Sequence, residues 1–281
     1  MNRLLTLSDA LASHARLKPD AIGVRDSRRE MSFSVWNNRA SRLANGLLAL
    51  GLRKGDRVAV LAFNCAEWME IYAAMARAGL VVVPINFRLT APEVAYILGD
   101  AEARCVIAQT ALTDRVAAPG VAPDLVRISM GTEPLDGWQD YEQLIETASQ
   151  QAVPVTVLTS DTSALMYTSG TTGKPKGVIR SHEGSTLIAM ATALEMGFTH
   201  QDIAMLVMPM CHANSLYFSH TFAHLGATCV IDDSQHFEPE KLLRTLARER
   251  ITFTSLVPTH FIMMLGLPEA VKAQHLSLIH I

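Results

Sequence analysis

Residues 167 to 178 read Tyr-Thr-Ser-Gly-Thr-Thr-Gly-Lys-Pro-Lys-Gly-Val. The stretch holds three glycines, four Ser/Thr hydroxyls and two lysines. Glycines let successive backbone N–H groups turn inward as a nest for anionic oxygens. Hydroxyls add short, orientable donors, and a lysine adds a mobile positive charge. Together they suit a polyphosphate.

A Walker A loop places four residues between its first Gly and the Gly-Lys, and Ser or Thr follows. Here only Thr171 and Thr172 separate Gly170 from Gly173, and Pro175 follows Lys174, so the spacing excludes a P-loop NTPase. Context excludes it too, because a Walker loop opens directly into a helix that binds phosphate at its N-terminus. Pro175 fixes its own φ and biases Lys174 toward extended geometry. The apolar run 164–167 predicts a buried strand, and 177–180 predicts a second short one. Ser181 is a good N-cap for a helix after it. Gly184 stands where a capping box needs Glu or Gln, so the box is incomplete. By composition alone the stretch also fits an ordinary surface turn; residue order has to separate the two.

A second candidate is Met208-Pro209-Met210-Cys211-His212-Ala213-Asn214-Ser215, a Pro-bounded turn after a predicted strand. It carries one histidine, His212, at a strand's carboxyl end, where open α/β sheets bind ligands. The alternative is a core or surface histidine. Met205, Met208 and Met210 either line a tunnel for a flexible apolar chain or fill the core. His220 and His224 are four apart and share a helix face, but Thr221 stands where zinc hydrolases have Glu, which disfavours a metal site. Asp232-Asp233 reads as a solvated turn.

Elements that would position these groups follow from periodicity. Helices are predicted over 4–16, 34–50, 67–78 and 91–99, and strands over 21–24, 31–33, 57–63, 80–85 and 104–108. The stretch 116–154 is rich in Pro, Gly and acidic residues, with one helix near 141–149. Alternation resumes with helices over 182–195, 215–225, 239–250 and 259–265, and strands over 203–208, 228–231 and 252–256. Strands alternating with helices argue for a parallel α/β sheet. A junction near 150–160 divides the chain into a first α/β subdomain, 1–155, and a second, 156–281, that carries the glycine-rich loop.

Bulk properties agree with a globular protein. The chain has 281 residues, 49% of them hydrophobic and 18% charged. A net charge of −3 gives no basic field for nucleic acid. Cys65, Cys105, Cys211 and Cys229 lie far apart with no CxxC, which suits a reducing, cytoplasmic setting and small buried side chains. The amino terminus has no long apolar region, and the run near 80–85 is too short for a transmembrane segment.

The order of residues 167–178 resembles the phosphate-binding signature of the adenylate-forming (AMP-binding) superfamily, which includes acyl-CoA synthetases, adenylation domains and luciferases. Residues 31–44, 51–60 (Gly-Leu-Arg-Lys-Gly-Asp-Arg-Val-Ala-Val) and 78–86 resemble other segments of that family, and the likeness covers nearly all of 30–268. It implies two stacked α/β subdomains. It also implies that Thr168, Ser169, Gly170, Thr171, Thr172, Gly173 and Lys176 bind ATP phosphates. His212 is implied to flank the acyl pocket; Cys211 departs from the commoner aromatic there. The implied reaction joins a carboxylic acid, fatty or otherwise apolar, to AMP and then to a thiol, with ATP, Mg2+ and coenzyme A as cofactors. The family's Tyr-Gly-x-Thr-Glu motif, ribose-binding Asp and adenylation lysine are not in this sequence. The resemblance therefore implies an amino-terminal fragment, cut before the β-barrel part is complete. No catalytic residue is assigned to it, and adenylation by it alone is not expected. The other readings are an adenylation domain serving a carrier protein and a short non-catalytic nucleotide-binding homologue. Peripheral membrane contact and homo-oligomerisation stay open.

Overall fold

A computed structural model describes residues 6–117, 120–168 and 174–274. The amino-terminal third begins with α1 (Leu7–Leu17), the hairpin β1 (Ile22–Arg25) and β2 (Glu30–Ser32), and α2 (Phe33–Ala49). It continues through β3 (Arg57–Leu61), α3 (Glu67–Ala78), β4 (Val81–Ile85), α4 (Ala91–Asp100) and β5 (Ala103–Gln109). A 3-10 turn (Thr110–Val116) leads to β6 (Val126–Met130), β7 (Gln139–Asp140) and α5 (Tyr141–Thr147). Then come β8 (Thr162–Thr168), β9 (Lys176–Ser181), α6 (His182–Met196), β10 (Ile203–Leu206), α7 (Ala213–Leu225) and β11 (Thr228–Ile231). The described chain closes with α8 (Pro239–Arg248), β12 (Phe253–Thr254), α9 (Pro258–Leu265) and α10 (Glu269–Ala273).

Two sheets form, one ordered β12-β10-β11-β1-β2 and the other β7-β6-β5-β3-β4-β8-β9. Both are parallel except at one edge, where β2 pairs antiparallel with β1 and β9 with β8. The sheets do not divide at residue 155. Strands β1 and β2 join the sheet of β10–β12, and β8 and β9 join the sheet of β3–β7. The pairing Val24↔Cys229 shows why: β1 is a short apolar strand, and its place lies beside a strand some two hundred residues later.

Alternation along β3 explains the layering. Val58 and Val60 face a core shared with α1, α2, α3 and the other sheet, which contributes Val24, Leu206 and Ile231. Ala59 and Leu61 face the opposite side, against Val94, Ile97 and Leu98 of α4. Beyond the smaller sheet, Met205 packs on Leu242 and Leu243 of α8 and Met264 of α9. The stack is thus helix, sheet, helix, sheet, helix. In the middle layer Trp36 is fully buried and donates from Nε1 to the Met69 carbonyl at 2.9 Å. Helix α3 ends at Gly79 with φ of 67°, a left-handed C-cap that L side chains adopt at a cost. A Cβ there would also meet Lys54 Cγ at 2.9 Å.

Candidate functional site

The glycine-rich stretch sits between two antiparallel strands, as expected, with a helix following. Strand β8 lies parallel to β4 through Val82↔Ala164. Its carboxyl end therefore emerges on the same sheet edge as the ends of β3 and β4, the edge at which α/β sheets bind ligands. The hairpin register runs Met166↔Val178, Tyr167↔Gly177 and Thr168↔Lys176. Space at Gly177 is tight, since a Cβ there would lie 3.0 Å from Leu165 Cγ and 3.2 Å from Tyr167 Cζ and those side chains would have to shift. Helix α6 takes Ser181 as its N-cap, with Oγ accepting from the Gly184 amide at 3.0 Å.

Of the residues implied to bind phosphate, Thr168 and Lys176 are brought together as an exposed cross-strand pair at the hairpin's end. Among the described residues, no carboxylate forms an ion pair with Lys176. Ser169, Gly170, Thr171, Thr172 and Gly173 lie outside the described residues. Helix α4 braces both strands of the hairpin. Tyr167 donates its hydroxyl to Asp100 Oδ2 at 2.6 Å, and Tyr96 donates to the Pro175 carbonyl at 3.2 Å. Lys174 Nζ lies 5.9 Å from the centre of the Tyr96 ring. Burial and the Asp100 carboxylate push the Tyr167 phenol well above its ordinary value, so it stays a donor.

His212 occupies the N-cap position of α7, exposed and with no side-chain cap bond. The turn before it is fixed by polar groups of the neighbouring sheet. Asn64, just after β3, donates from Nδ2 to the Met208 carbonyl at 3.1 Å and to the Val207 carbonyl at 3.3 Å. Asn64 Oδ1 accepts from the Met210 amide at 2.7 Å. Tyr72 donates to the Met210 carbonyl at 2.7 Å, and Ser215 to the Met208 carbonyl at 2.6 Å. Burial pushes the Cys211 thiol up to about 11, against a backbone bond from Phe87 and the Arg88 charge. Phe87 packs on Phe63 with ring centres 5.0 Å apart. Asn214 donates to Ser255 Oγ at 2.9 Å, joining the first turn of α7 to the end of β12. No hydrogen bond among the described residues joins the His212 side chain to Thr168 or Lys176; the two groups sit on the carboxyl edges of different sheets.

The remaining candidates resolve as structural. His220 and His224 each spend Nδ1 on a carbonyl one turn back, Leu216 and His220, both at 2.8 Å. Burial, with the His224 charge adding to it, pushes His220 down to about 3. Among the described residues no group of three or more His, Cys, Asp or Glu is placed to hold a metal ion. Met205 and Met210 are buried in two different cores, and Met208 between them is half-buried. Asp232 accepts from the Ser234 amide and Asp233 from the Ser27 hydroxyl, both in the irregular segment after β11. All four cysteines are free and buried.

Asn64, Tyr96 and Asp100 were not singled out by sequence. Asn64 follows β3 at its carboxyl end, where open α/β sheets bind ligands, and that position is its one signal in the sequence. Tyr96 and Asp100 offered only the i, i+4 spacing that puts two residues on one helix face.

A two-sheet α/β domain with this hairpin at its carboxyl edge is of the adenylate-forming type. The chain belongs to the AMP-binding enzyme family, whose model matches residues 11–280. A feruloyl-CoA synthase of Amycolatopsis sp is 33% identical over 248 residues, covering 88% of this chain and 48% of the relative. A long-chain-fatty-acid–CoA ligase of Mycobacterium tuberculosis, FadD13, is 33% identical over 242 residues, covering 85% and 46%. A fatty acid–[acyl-carrier-protein] ligase of Streptomyces coeruleorubidus is 30% identical over 270 residues, covering 95% and 50%. The chain thus spans about half the length of the curated relatives it matches. Among solved structures, an anthranilate CoA ligase in complex with anthranoyl-AMP superposes with TM-score 0.91 at 25% identity, covering 98% of this chain and 54% of that one. An inhibitor-bound N-terminal domain of FACL13 from Mycobacterium tuberculosis gives 0.85 at 29% identity, covering 95% and 66%. Among the described residues no helix is long and apolar enough to cross a membrane.

Proposed function

We propose that this chain forms the phosphate-gripping portion of an ATP-dependent carboxylic acid–CoA ligase. The observation that carries the reading is the Thr168–Lys176 pair, a hydroxyl and an ammonium on facing strands within the signature sequence, the ammonium exposed and without an ion-pair partner among the described residues. Lys176 would neutralise the oxygens of the leaving pyrophosphate, and Thr168 would orient them by hydrogen bonding. Residues 169–173 would supply the remaining contacts. His212, at the mouth of the other sheet, would border the acid. The acid's carboxylate attacks the α-phosphate, pyrophosphate leaves, and a thiol then displaces AMP. Positioning and charge stabilisation supply most of the acceleration in such a step.

The acid is an apolar one, fatty or aromatic, in keeping with the feruloyl-CoA and long-chain-fatty-acid ligases that the chain is similar to. The acceptor is coenzyme A; the carrier-protein ligase among the relatives favours a second reading in which a carrier thiol takes its place. The described residues offer no carboxylate set for Mg2+, so no step here runs through it; the ion would arrive on the phosphate oxygens. Four buried free thiols favour a reducing compartment such as the cytoplasm.

The test is calorimetric titration of ATP and of inorganic pyrophosphate into the 281-residue protein. Saturable binding of both is expected. A protein that binds neither overturns the reading.

A further inference from the structure

We infer that Tyr96 and Asp100 are positioning residues that hold the two strand ends of the phosphate-gripping hairpin at a fixed spacing. This rests on the nucleotide reading of that hairpin. Tyr96 and Asp100 stand four apart on α4, so both side chains leave the same face of the helix. Asp100 holds β8, and Tyr96 holds the residue that leads into β9. Asp100 accepts from Tyr167, one residue before Thr168. Tyr96 donates to the carbonyl of Pro175, one residue before Lys176. The Tyr96 ring also lies under the Lys174 ammonium, a cation–π contact at 5.9 Å. One helix face therefore holds residues next to both members of the Thr168–Lys176 pair.

A strut is useful only if it is itself rooted, and α4 is. Val94, Ile97 and Leu98 bury its apolar face on the sheet. Thr90 and Glu93 form a capping box at its start, with the Thr90 amide donating to Glu93 Oε2 at 2.7 Å. Arg115 donates to the carbonyls of Phe87 and Leu89 and so fixes the turn that leads into it. Among the described residues the hairpin end is weakly anchored by its own strands, because β9 is the last strand of its sheet and Thr168, Lys174 and Lys176 are exposed. Ordering a cationic hairpin before phosphate arrives removes part of the entropy that binding would otherwise cost.

The experiment measures inorganic pyrophosphate affinity by calorimetry for the wild type, Asp100→Ala, Asp100→Asn and Tyr96→Phe. Amide hydrogen exchange across 162–181 is followed in the same proteins. Asp100→Ala and Tyr96→Phe are expected to weaken pyrophosphate about three- to ten-fold, the size of one net hydrogen bond each. Both are expected to speed exchange near Thr168 and Lys176. Asp100→Asn still accepts from Tyr167 and is expected to keep wild-type affinity and exchange. Unchanged exchange at the hairpin end in Asp100→Ala and Tyr96→Phe overturns the inference, and so does unchanged affinity where the wild type binds. If the wild type takes up neither pyrophosphate nor ATP, the nucleotide reading falls, and the exchange comparison alone decides the strut. A purely structural role would lower the melting temperature and leave exchange local to α4, which also counts against the inference.

Discussion

The carboxamide of Asn64 accepts from the Met210 amide at 2.7 Å while donating to the carbonyl of Met208 at 3.1 Å, so one side chain after β3 holds the turn that presents His212. The turn belongs to one sheet and Asn64 to the other. Asn64→Ala removes all of these bonds and leaves partly buried backbone groups unsatisfied. A loss of about 1–3 kcal/mol is expected. Chemical denaturation should show it as a lower midpoint with an unchanged slope. A midpoint equal to wild type would mean that Tyr72 and Ser215 hold the turn alone.

An ion cluster centred on a buried carboxylate ties α2, α3 and α5 together. Arg39 Nε meets Glu70 Oε1 at 2.6 Å, and Glu70 is fully buried. Tyr141 donates to the other Glu70 oxygen at 2.9 Å, and Arg39 also reaches Glu142 at 2.9 Å. Burial opposes the Arg39 charge, but the hydrogen bond and charge of Glu70 outweigh it and raise the guanidinium above its ordinary value. Arg39→Met is expected to cost up to about 3–5 kcal/mol, because it leaves the buried Glu70 carboxylate with only the longer 3.6 Å contact to Arg29 and the Tyr141 hydroxyl. The double variant Arg39→Met with Glu70→Leu should recover much of that loss, since no charge is then left unpaired. Thermal melts of the three proteins check the sign of the coupling; additive losses would refute it.

Glu142 belongs to the same cluster and gives it an acid limit. Burial pushes its carboxyl up, but the Arg29 hydrogen bond and the Arg39 and Arg29 charges outweigh this and hold it below the ordinary range. A depressed carboxyl contributes stability above its unfolded value, near about 4.3, and loses it as pH falls through the lower folded value. Glu142→Gln should therefore be less stable than wild type at pH 7 and converge with it at strongly acid pH. Parallel stability curves down to acid would contradict this.

His220 acts at milder pH. Burial and the neighbouring His224, His182 and Arg180 charges favour its neutral form and bring it down to about 3. The unfolded chain then binds the extra proton, so stability is full above about 6.5 and declines as pH falls toward the folded value. His220→Phe removes this proton linkage, and the slope of stability between pH 6.5 and 4 should flatten relative to wild type. The comparison is denaturant midpoint against pH. An unchanged slope would assign the linkage to other groups, His14 and His260, which burial also lowers.

Much of the fold is legible in the sequence where periodicity is strong. Helix α3 and strand β11 fall on the residues that their patterns predict, because Gly79 and Gly226–Ala227 punctuate them. The strands β6 and β7 are not legible: β6 buries only Ile128, Ser129 and Met130, and two-residue β7 has no period at all. Nor is sheet membership. Ile22–Arg25 reads as a strand, but nothing in four residues says that its partner is Thr228–Ile231. At the site, Thr168, Lys176 and His212 stand out because a motif or an isolated histidine draws attention to them. Asn64, Tyr96 and Asp100 do not, because a single polar residue acquires its role only from what the fold sets opposite it.

Lys176 and His212 should separate when each is removed. Both are exposed, so neither Lys176→Ala nor His212→Ala is expected to move the melting temperature by more than the small shift typical of surface positions. On the proposed reading Lys176→Ala would delete a charge-assisted contact to a phosphate oxygen, and pyrophosphate affinity should fall about ten-fold or more. The loss should shrink as salt rises, since the contact is solvent-facing. His212→Ala leaves the Thr168–Lys176 pair intact, and pyrophosphate affinity should match wild type while the affinity for a long-chain or aryl acid changes. Equal pyrophosphate loss in both variants would show that the two strand edges form one site and that His212 does not border the acid alone.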